Sequence, residues 1–262
     1  MKSVIEFQKF KQEKIPISMI TCYDFWSACI IDETEIDAVL VGDSAAMVMH
    51  GYSTTINADV EMMAFHVAAV RKGLTEKPLI TDFPFLAHRK GKLFAMNVVD
   101  KFMKLGANAV KIEGAGSHVK IIKQIVESGI PVMGHIGLTP QSVNAIGGFT
   151  VQGLDKKSAI KLLDDAKHLE DAGCFSIVLE LIPAVLSKKI TDALSIPTIG
   201  IGAGKNTSGQ ILVLQDLLGL TKNFNPKFLR KYIDGFSLTK SALNKYSRDV
   251  KKKSFPSAKE SY

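Results

Sequence analysis

Short apolar runs rich in β-branched residues recur along the chain, and several of them end abruptly in a charged or polar residue beside a glycine or a turn. Runs of this kind are typical of strands buried in a parallel sheet. An ion at the end of a buried strand costs free energy unless a site uses it. Five runs carry an acid, a lysine or a histidine at or just after their ends: 38–41, 79–81, 109–112, 131–134 and 176–179. The pattern predicts charged side chains gathered at one rim of an α/β barrel.

Amphipathic helical patterns separate these strands, and the order of elements contains no internal antiparallel hairpin. Alternation of this kind indicates parallel βαβ units. The patterns predict strands at 18–21, 38–41, 79–82, 109–112, 132–134, 176–179, 198–201 and 211–214, and helices at 3–13, 25–32, 59–72, 92–105, 117–128, 156–172, 184–194, 228–233 and 238–250. Eight units favour a closed (βα)8 barrel, the TIM barrel of the α/β class, over an open sheet.

A single domain over residues 1–262 is expected, since a (βα)8 barrel typically takes about 250 residues. Within it we distinguish an N-terminal helix in residues 1–15 and a basic C-terminal helical extension in residues 221–262. The extension holds 11 Lys/Arg and 3 Asp/Glu, whereas the rest of the chain holds 22 and 23, so the net charge of +7 is concentrated at this end. No RNA-binding signature or interleaved aromatic residues accompany the charge. The extension is therefore interpreted as a solvated surface, and no nucleic-acid partner is predicted.

Composition narrows the class of protein further. Hydrophobic residues make up 46% of the chain, yet no stretch reaches the roughly 18 apolar residues of a membrane helix. The N-terminus is too polar for a signal peptide, so a cytoplasmic protein without a membrane partner is predicted. Cys22, Cys29 and Cys174 show no CxxC spacing, which argues against a disulfide framework and a structural zinc site.

Three carboxylates fall at the ends of consecutive predicted strands: Asp43, Asp82 and Glu113. On one rim they would repel one another unless a cation lies between them, and carboxylate oxygens suit Mg²⁺. The alternative is that each acid separately caps a helix or pairs with a lysine. The coincidence on three neighbouring strands favours the metal interpretation.

Further charged side chains point to the same rim. Lys111 lies two residues before Glu113, so both side chains share one face of their strand; Lys111 is predicted to bind a substrate carboxylate or an enolate oxygen. An internal Lys–Glu ion pair is compatible with this role, and a Schiff-base lysine is the less favoured alternative. His135 is a candidate hydrogen-bond donor to an anionic substrate, and Glu180 is a candidate general base.

Two glycine-rich segments are further candidates for ligand-binding loops. The irregular stretch 136–154 after the fifth strand has the length and composition of a lid or binding loop. Residues 200–205 match neither the P-loop nor the dinucleotide fingerprint, so they either bind phosphate after strand 7 or simply permit tight turns.

Several motifs occur in one order: VGDS at 41–44, VKIEG at 110–114, GHIGLTPQS at 134–142, GGFTVQG at 147–153 and IGIGAG at 199–204. From about Lys9 to Phe228 the chain resembles the ketopantoate hydroxymethyltransferase family. The resemblance implies a (βα)8 barrel related to phosphoenolpyruvate mutase and isocitrate lyase, and a homo-oligomer, a decamer. It implies transfer of a hydroxymethyl group from 5,10-methylenetetrahydrofolate to 3-methyl-2-oxobutanoate, the first step of pantothenate biosynthesis.

The same resemblance implies roles for individual residues. Mg²⁺ would be held by Asp43 and Asp82, with Glu113 at or near the ion. The keto acid would be bound by Asp43, Ser44, Asp82 and Lys111, with His135 near its carboxylate, and Glu180 would accept the proton. Two departures from the family pattern lie near the rim where folate would bind: the turn at 115–118 and Leu154.

Two other functions are weighed against this one. A related Mg²⁺ barrel lyase that cleaves a C–C bond beside a 2-keto acid would use a catalytic cysteine, and no cysteine is expected at a strand end on the rim. A barrel retained only as an assembly scaffold would be expected to lose the rim acids, all of which are present.

Overall fold

The computed structural model of the chain describes residues 3–262 and contains a closed barrel in which each strand pairs with the next and the last pairs with the first. All of these pairings are parallel. The strands are β1 (Ile17–Thr21), β2 (Ala38–Val41), β3 (Leu79–Asp82), β4 (Ala109–Glu113), β5 (Val132–Gly137), β6 (Ser176–Glu180), β7 (Thr198–Ile201) and β8 (Gly209–Leu212). The predicted (βα)8 barrel is confirmed, and the carboxyl ends of its strands meet at one rim.

Helices alternate with the strands. They are α1 (Glu6–Glu13), α2 (Phe25–Asp32), α3 (Ala45–Val48), α4 (Val60–Gly73), α5 (Lys92–Lys104), α6 (Val119–Glu127), α7 (Val143–Ile146), α8 (Lys156–Asp171), α9 (Ala184–Ala193), α10 (Leu214–Leu217) and α11 (Gly235–Lys251). Short 3₁₀ turns lie at Thr55–Asn57, Ala87–Arg89, Pro140–Ser142 and Ala258–Glu260. Four helices begin after an aspartate whose carboxylate accepts a first-turn N–H: Asp24, Asp59, Asp155 and Asp234. These caps fix where the helices start.

The N-terminal helix closes the bottom of the barrel. Phe7 is fully buried with residues at the amino ends of the strands, such as Ile17 and Ala38, and its ring meets Phe175 edge-on at 5.3 Å. The Lys11 ammonium donates to the carbonyls of Thr191, Leu194 and Ile196 at 2.7–3.0 Å. Because apolar side chains fill this end, the open rim is at the carboxyl ends of the strands.

Three predicted strands end too early. β4 extends through Glu113, β5 through Gly137 and β6 through Glu180. The reason is that the hydrogen-bond ladder continues past the apolar run: Glu113 pairs with His135, and Gly137 pairs with Glu180. These charged side chains therefore belong to the strands, and the pleat sets the direction in which each one points.

Other boundaries differ as well. β8 lies earlier than predicted because Gly209 pairs with Ile17, and Leu214 already begins α10. The helix predicted at 228–233 is wrong: these residues form turns and irregular backbone, since so short a segment does not sustain a helix by itself. The stretch 136–154 contains a 3₁₀ turn and α7 rather than irregular loop alone.

The chain divides into two compact units, Met1–Val213 and Leu214–Tyr262. The first holds the barrel. The second holds α10 and α11, and its backbone is tied together where the N–H of Gly235 donates to the carbonyl of Leu218 at 2.9 Å. Among the helices of residues 3–262, none has the length and apolar character needed to cross a bilayer.

Candidate active site

Charged side chains from five adjacent strands meet at the rim. Asp43 lies two residues beyond β2, Asp82 ends β3, Lys111 and Glu113 lie on β4, and His135 lies on β5. All five are buried, with exposed fractions between 2% and 6%. Glu180 ends β6 and is 17% exposed at its side chain, so it is open to a substrate. The structure thus brings together the charged residues that the sequence predicts for the site.

Lys111 pairs across the sheet. Its Nζ lies 2.7 Å from Oδ1 of Asp82, because the register of β3 and β4 places these two residues side by side. Burial alone would lower the pKa of Lys111, but the surrounding carboxylates outweigh it and raise the pKa above its ordinary value. The amine therefore stays protonated, which disfavours Schiff-base chemistry and suits a role as a fixed cation.

Asp43 and Asp82 are direct neighbours. The backbone N–H of Asp43 donates to Oδ2 of Asp82 at 3.0 Å. Burial raises the pKa of Asp43 well above its usual range, and the negative charges of Asp82 and Glu113 raise it further. Two buried acids held this close to each other favour a cation between them.

Gln141 connects two of the carboxylates. Its side-chain amide donates to Oδ2 of Asp43 and to the carbonyl of Phe83, both at 2.8 Å, and its backbone N–H donates to Oε2 of Glu113 at 3.1 Å. Sequence reasoning assigned no role to Gln141. The signal was its place in the GHIGLTPQS block, directly after a strand that carries a site histidine.

His135 lies between two glutamates. Its Nδ1 is 3.5 Å from Oε1 of Glu113, and its Nε2 is 3.2 Å from Oε2 of Glu180. Burial and the Lys111 ammonium, 3.3 Å from Nδ1, lower the pKa of His135, but hydrogen bonding to the two glutamates prevails and raises the pKa to about 9. Burial raises the pKa of Glu113, yet the net shift is downward because His135 stabilises the carboxylate. The raised pKa favours the imidazolium form of His135.

Ser44 is held from beneath by a buried tyrosine. The hydroxyl of Tyr23 lies 2.8 Å from Oγ of Ser44, and the carbonyl of Tyr23 lies 2.6 Å from Nδ1 of His66. His66 is a buried residue of α4. Gly42 is needed here, since a Cβ would come within 2.8 Å of the Ser44 Oγ. Sequence reasoning did not find Tyr23, which carries no charge and follows β1 rather than a charged strand end.

The expectation that no cysteine lies at a strand end is wrong, since Cys22 follows β1 directly. Its thiol is buried, however, and donates to the carbonyl of Asp24 at 3.5 Å. Burial raises the pKa of Cys22 to about 12. The thiol is therefore unsuited to the nucleophilic or acid–base role that a lyase would need.

The glycines of residues 200–205 make tight turns. Gly202 and Gly204 have φ of +63° and +80°, values that other residues rarely adopt. The carbonyl of Gly204 accepts a hydrogen bond from Gln210 at 2.9 Å. These observations favour the tight-turn interpretation of this segment over a phosphate loop.

A cavity of about 330 Å³ adjoins the charged cluster. It lies between residues 85–89, which follow β3, and residues 141–145, which follow β5, and Glu113 reaches its wall. Burial, with the nearby His118 and Arg89 charges, lowers the pKa of His88 on this wall to about 4. His88 is therefore neutral at physiological pH.

Comparison with known proteins identifies the chain's relatives. The model of the ketopantoate hydroxymethyltransferase family matches residues 2–258. A Bdellovibrio bacteriovorus protein named 3-methyl-2-oxobutanoate hydroxymethyltransferase is 54% identical over 262 residues, covering 100% of both chains. A Coxiella burnetii protein of the same name is 53% identical over 252 residues, covering 96% of this chain and 95% of its own.

Solved structures show the same architecture. Phosphonopyruvate hydrolase in complex with oxalate and Mg²⁺ aligns with a TM-score of 0.63 at 10% identity, covering 98% of this chain and 93% of its own. The 2,3-dimethylmalate lyase of the phosphoenolpyruvate mutase/isocitrate lyase superfamily has a TM-score of 0.63 at 14% identity, covering 95% and 89%. Such low identities support the fold alone. The family match and the full-length relatives confirm the resemblance: this chain belongs to the ketopantoate hydroxymethyltransferase family.

Proposed function

We propose that this enzyme transfers a hydroxymethyl group from 5,10-methylenetetrahydrofolate to 3-methyl-2-oxobutanoate, forming 2-dehydropantoate for pantothenate biosynthesis. The observation that carries the proposal is the alternation of charge around the rim. Two buried acids, Asp43 after β2 and Asp82 at the end of β3, lie near the Lys111 cation, and His135 adjoins the partly open Glu180 carboxylate. Such a rim can bind a small keto acid and remove a proton from it.

The residues present fit a magnesium ion. Within residues 3–262, no three or more His, Cys, Asp and Glu side chains form a metal-binding group by themselves, but Mg²⁺ is usually held by one or two carboxylates plus water and substrate. Asp43 and Asp82 would supply these carboxylates. Glu113, whose oxygens face Gln141 and His135, would add negative charge near the ion. When bound, Mg²⁺ would polarise the 2-keto acid and make its C3 proton more acidic.

Chain residues would then carry out the proton transfer. Lys111 and Ser44 would orient the keto acid, and His135 would neutralise its carboxylate. Glu180 would accept the C3 proton, leaving an enolate whose negative charge the Lys111 ammonium stabilises. The enolate carbon would form a new C–C bond to the one-carbon unit. The two C–N bonds between that unit and the folate would break, and water would supply the hydroxyl group. One proton from water and the proton held by Glu180 would pass to the two nitrogens of the released tetrahydrofolate.

Deuterium exchange at C3 of 3-methyl-2-oxobutanoate, followed by NMR, tests the first half of this reaction. We expect exchange with Mg²⁺ and none with excess chelator, and we expect the exchange to proceed without tetrahydrofolate. Samples with and without tetrahydrofolate should both be measured. If no exchange occurs even with tetrahydrofolate and Mg²⁺ together, the proposed keto-acid site is wrong.

The remaining features of the resemblance are also proposed: a cytoplasmic enzyme that assembles as a homo-oligomer, a decamer. The barrel exposes apolar side chains on α2 and α4 that a second copy would cover; Trp26 is 62% exposed and Phe65 is 78% exposed. Light scattering after gel filtration gives the mass directly. A particle of one 28.6 kDa chain at micromolar concentration would contradict the assembly.

A further inference from the structure

The two carboxylates proposed to hold Mg²⁺ are kept in place by different partners. Both oxygens of Asp82 are engaged: Oδ1 lies 2.7 Å from Nζ of Lys111, and Oδ2 accepts the backbone N–H of Asp43 at 3.0 Å. Within residues 3–262, the Asp43 carboxylate accepts one hydrogen bond, from the side-chain amide of Gln141 to Oδ2 at 2.8 Å. The orientation of Asp43 therefore depends on Gln141, whereas that of Asp82 does not.

We propose that Gln141 is a positioning residue of the metal site, whose amide fixes the Asp43 carboxylate in the orientation that receives Mg²⁺. The inference rests on the proposed function, in which Asp43 and Asp82 supply the carboxylates that hold the ion. Gln141 itself does not touch the ion in this proposal. Groups that hydrogen-bond to a metal ligand commonly set the affinity of a site, because they orient the ligand before the ion binds.

The amide of Gln141 is fixed in one orientation by the groups around it. An amide nitrogen carries two N–H donors, and both are used, one on Oδ2 of Asp43 and the other on the carbonyl of Phe83, each at 2.8 Å. The opposite orientation would place the amide oxygen against these two acceptors, which would repel it. The amide therefore presents a fixed donor to Asp43.

Burial strengthens this contact. Asp43 and Gln141 are 4% and 7% exposed, and a hydrogen bond is electrostatically stronger in such surroundings than in water. Hydrogen bonds to an ionised carboxylate are also stronger than those between neutral groups. Loss of the amide would leave the Asp43 carboxylate without a donor among the described side chains, so nothing there would hold its orientation.

The backbone before Gln141 explains how a loop residue reaches the strand ends. Gly137 ends β5 with φ of +96°, and a Cβ there would collide with the carbonyl of Glu180, so the path requires glycine. The next residue, Leu138, is fully buried and donates its N–H to that same carbonyl at 2.8 Å. The 3₁₀ turn Pro140–Ser142 follows directly. The loop that carries Gln141 is thus anchored to β6 where it begins.

The turn around Gln141 has further contacts that do not involve the amide. The backbone N–H of Gln141 donates to Oε2 of Glu113 on β4 at 3.1 Å. The 3₁₀ turn Thr55–Asn57 packs against Pro140–Ser142, and Thr55 is buried. Because these contacts hold the backbone, a substitution that removes only the amide is expected to leave the turn in place.

Calorimetry of Mg²⁺ binding to Gln141→Met, in the presence of 3-methyl-2-oxobutanoate, tests the assignment. Methionine keeps the length of the side chain and the backbone N–H, but its side chain donates no hydrogen bond. We expect Mg²⁺ to bind about 10–100-fold more weakly than to wild type, the usual effect of removing a partner of a metal ligand. Where the heats are too small, a Mn²⁺ titration followed by EPR of the free ion gives the same comparison.

C3 exchange provides a second readout. In Gln141→Met, exchange should need more Mg²⁺ for half-maximal rate, yet at saturating Mg²⁺ it should return to within about twofold of wild type, because affinity rather than chemistry is lost. A slow rate that excess Mg²⁺ does not restore, together with wild-type Mg²⁺ affinity, would show that Gln141 acts elsewhere and would overturn the inference.

Gln8→Met is the matched control. The Gln8 amide also donates to a backbone carbonyl, that of Ser195 at 3.0 Å, but it lies on α1 at the opposite end of the barrel. Its replacement should leave the affinity for Mg²⁺ unchanged. Denaturant unfolding in chelator isolates a purely structural role of Gln141. Such a role would lower the free energy of unfolding of Gln141→Met while the folded variant binds Mg²⁺ as wild type does, and that result overturns the inference.

Gln141→Asn is the second variant, for use if Gln141→Met does not fold. It keeps an amide, but the side chain is one methylene shorter and does not reach Asp43 and Phe83 together. We expect the same direction of change, a weaker affinity for Mg²⁺ than in wild type. Wild-type affinity in either folded variant would show that Gln141 does not position the metal ligand.

The two levels of proposal fail differently. Wild-type protein that binds Mg²⁺ and exchanges C3, with Gln141 variants that bind Mg²⁺ equally well, would overturn this inference and keep the proposed function. Wild-type protein that neither binds Mg²⁺ in the presence of the keto acid nor exchanges C3 would overturn the proposed function itself.

Discussion

Nε2 of His135 lies 3.2 Å from Oε2 of Glu180, while its other ring nitrogen faces Glu113. One imidazole thus links the proposed proton acceptor on β6 to a buried carboxylate on β4. Ion pairing with both glutamates outweighs burial and raises the pKa of the ring to about 9. A cation beside Glu180 holds the carboxylate in one orientation.

Replacing Glu180 by Gln should separate binding from chemistry. The amide has the same shape but cannot take the C3 proton, so we expect the exchange rate to fall about 10²–10⁴-fold. The keto acid should still bind in the presence of Mg²⁺, with an affinity measurable by calorimetry. Glu127→Gln, at an exposed glutamate of α6, is the control. Exchange at the wild-type rate in Glu180→Gln would assign the proton transfer to another group.

The stability of the protein should depend on the charge of His135. Its pKa is raised from 6.5 to about 9, so the folded state favours the protonated ring. The resulting free energy is fully present below about pH 6.5 and is lost as pH rises through about 9. In urea titrations, the free energy of unfolding of wild type relative to His135→Gln should therefore decrease between these two pH values.

His168→Gln is the control for that titration, since it makes the same substitution at an exposed position on α8. A wild-type advantage over His135→Gln that stays constant from pH 6.5 to 9 would show that the ring is neutral in the folded protein.

Replacement of the neighbouring acids Asp43 and Asp82 should affect stability differently. Asp43→Asn removes an acid whose ionised form is disfavoured by burial and by Asp82, and without metal we expect it to leave the free energy of unfolding unchanged or raise it by about 1 kcal/mol. Asp82→Asn leaves the Lys111 ammonium buried without its partner and should lower that free energy by about 3–5 kcal/mol. Denaturant unfolding in chelator measures both.

Both variants should also lose the dependence of C3 exchange on Mg²⁺, since each removes one of the two proposed carboxylate ligands. Asp100→Asn is the control because Asp100 is exposed on α5. Mg²⁺ binding can be measured by calorimetry in the presence of keto acid. If either Asp43→Asn or Asp82→Asn binds Mg²⁺ with the affinity of wild type, the replaced residue is not a ligand of the ion.

The architecture was predictable because strands buried on both faces leave continuous apolar runs in the sequence, as at Ala38–Val41. Strand ends were less predictable. The ladder carries β4 to Glu113 and β6 to Glu180, and those hydrogen bonds leave no trace in hydropathy. The helix predicted at 228–233 is absent for a different reason: a short favourable hydropathy pattern does not form a helix without packing that supports it.

The charged part of the site was predictable because parallel topology brings strand ends together. Which charges pair was not, since the Lys111–Asp82 contact depends on the register of β3 and β4. The neutral members were also missed. Gln141 lies on a loop, and Tyr23 acts from below the site through a hydroxyl; neither interrupts an apolar run, so neither produces a hydropathy signal.

The role of one of these neutral residues, Tyr23, can be tested. Tyr23→Phe removes one hydroxyl and keeps the ring, so it deletes the 2.8 Å contact with Oγ of Ser44 and the hydrogen bond with Thr21. A buried hydrogen bond contributes about 1 kcal/mol, which corresponds to a roughly fivefold change in an equilibrium. We expect the KM of the keto acid to rise by about that factor if Ser44 needs Tyr23 for its orientation, while the KM of the donor, 5,10-methylenetetrahydrofolate, stays constant. Tyr52→Phe, at an exposed tyrosine, is the control and should change neither the KM of the keto acid nor that of the donor. If Tyr23→Phe is folded and its keto-acid KM is unaltered, Ser44 does not need Tyr23 for its orientation.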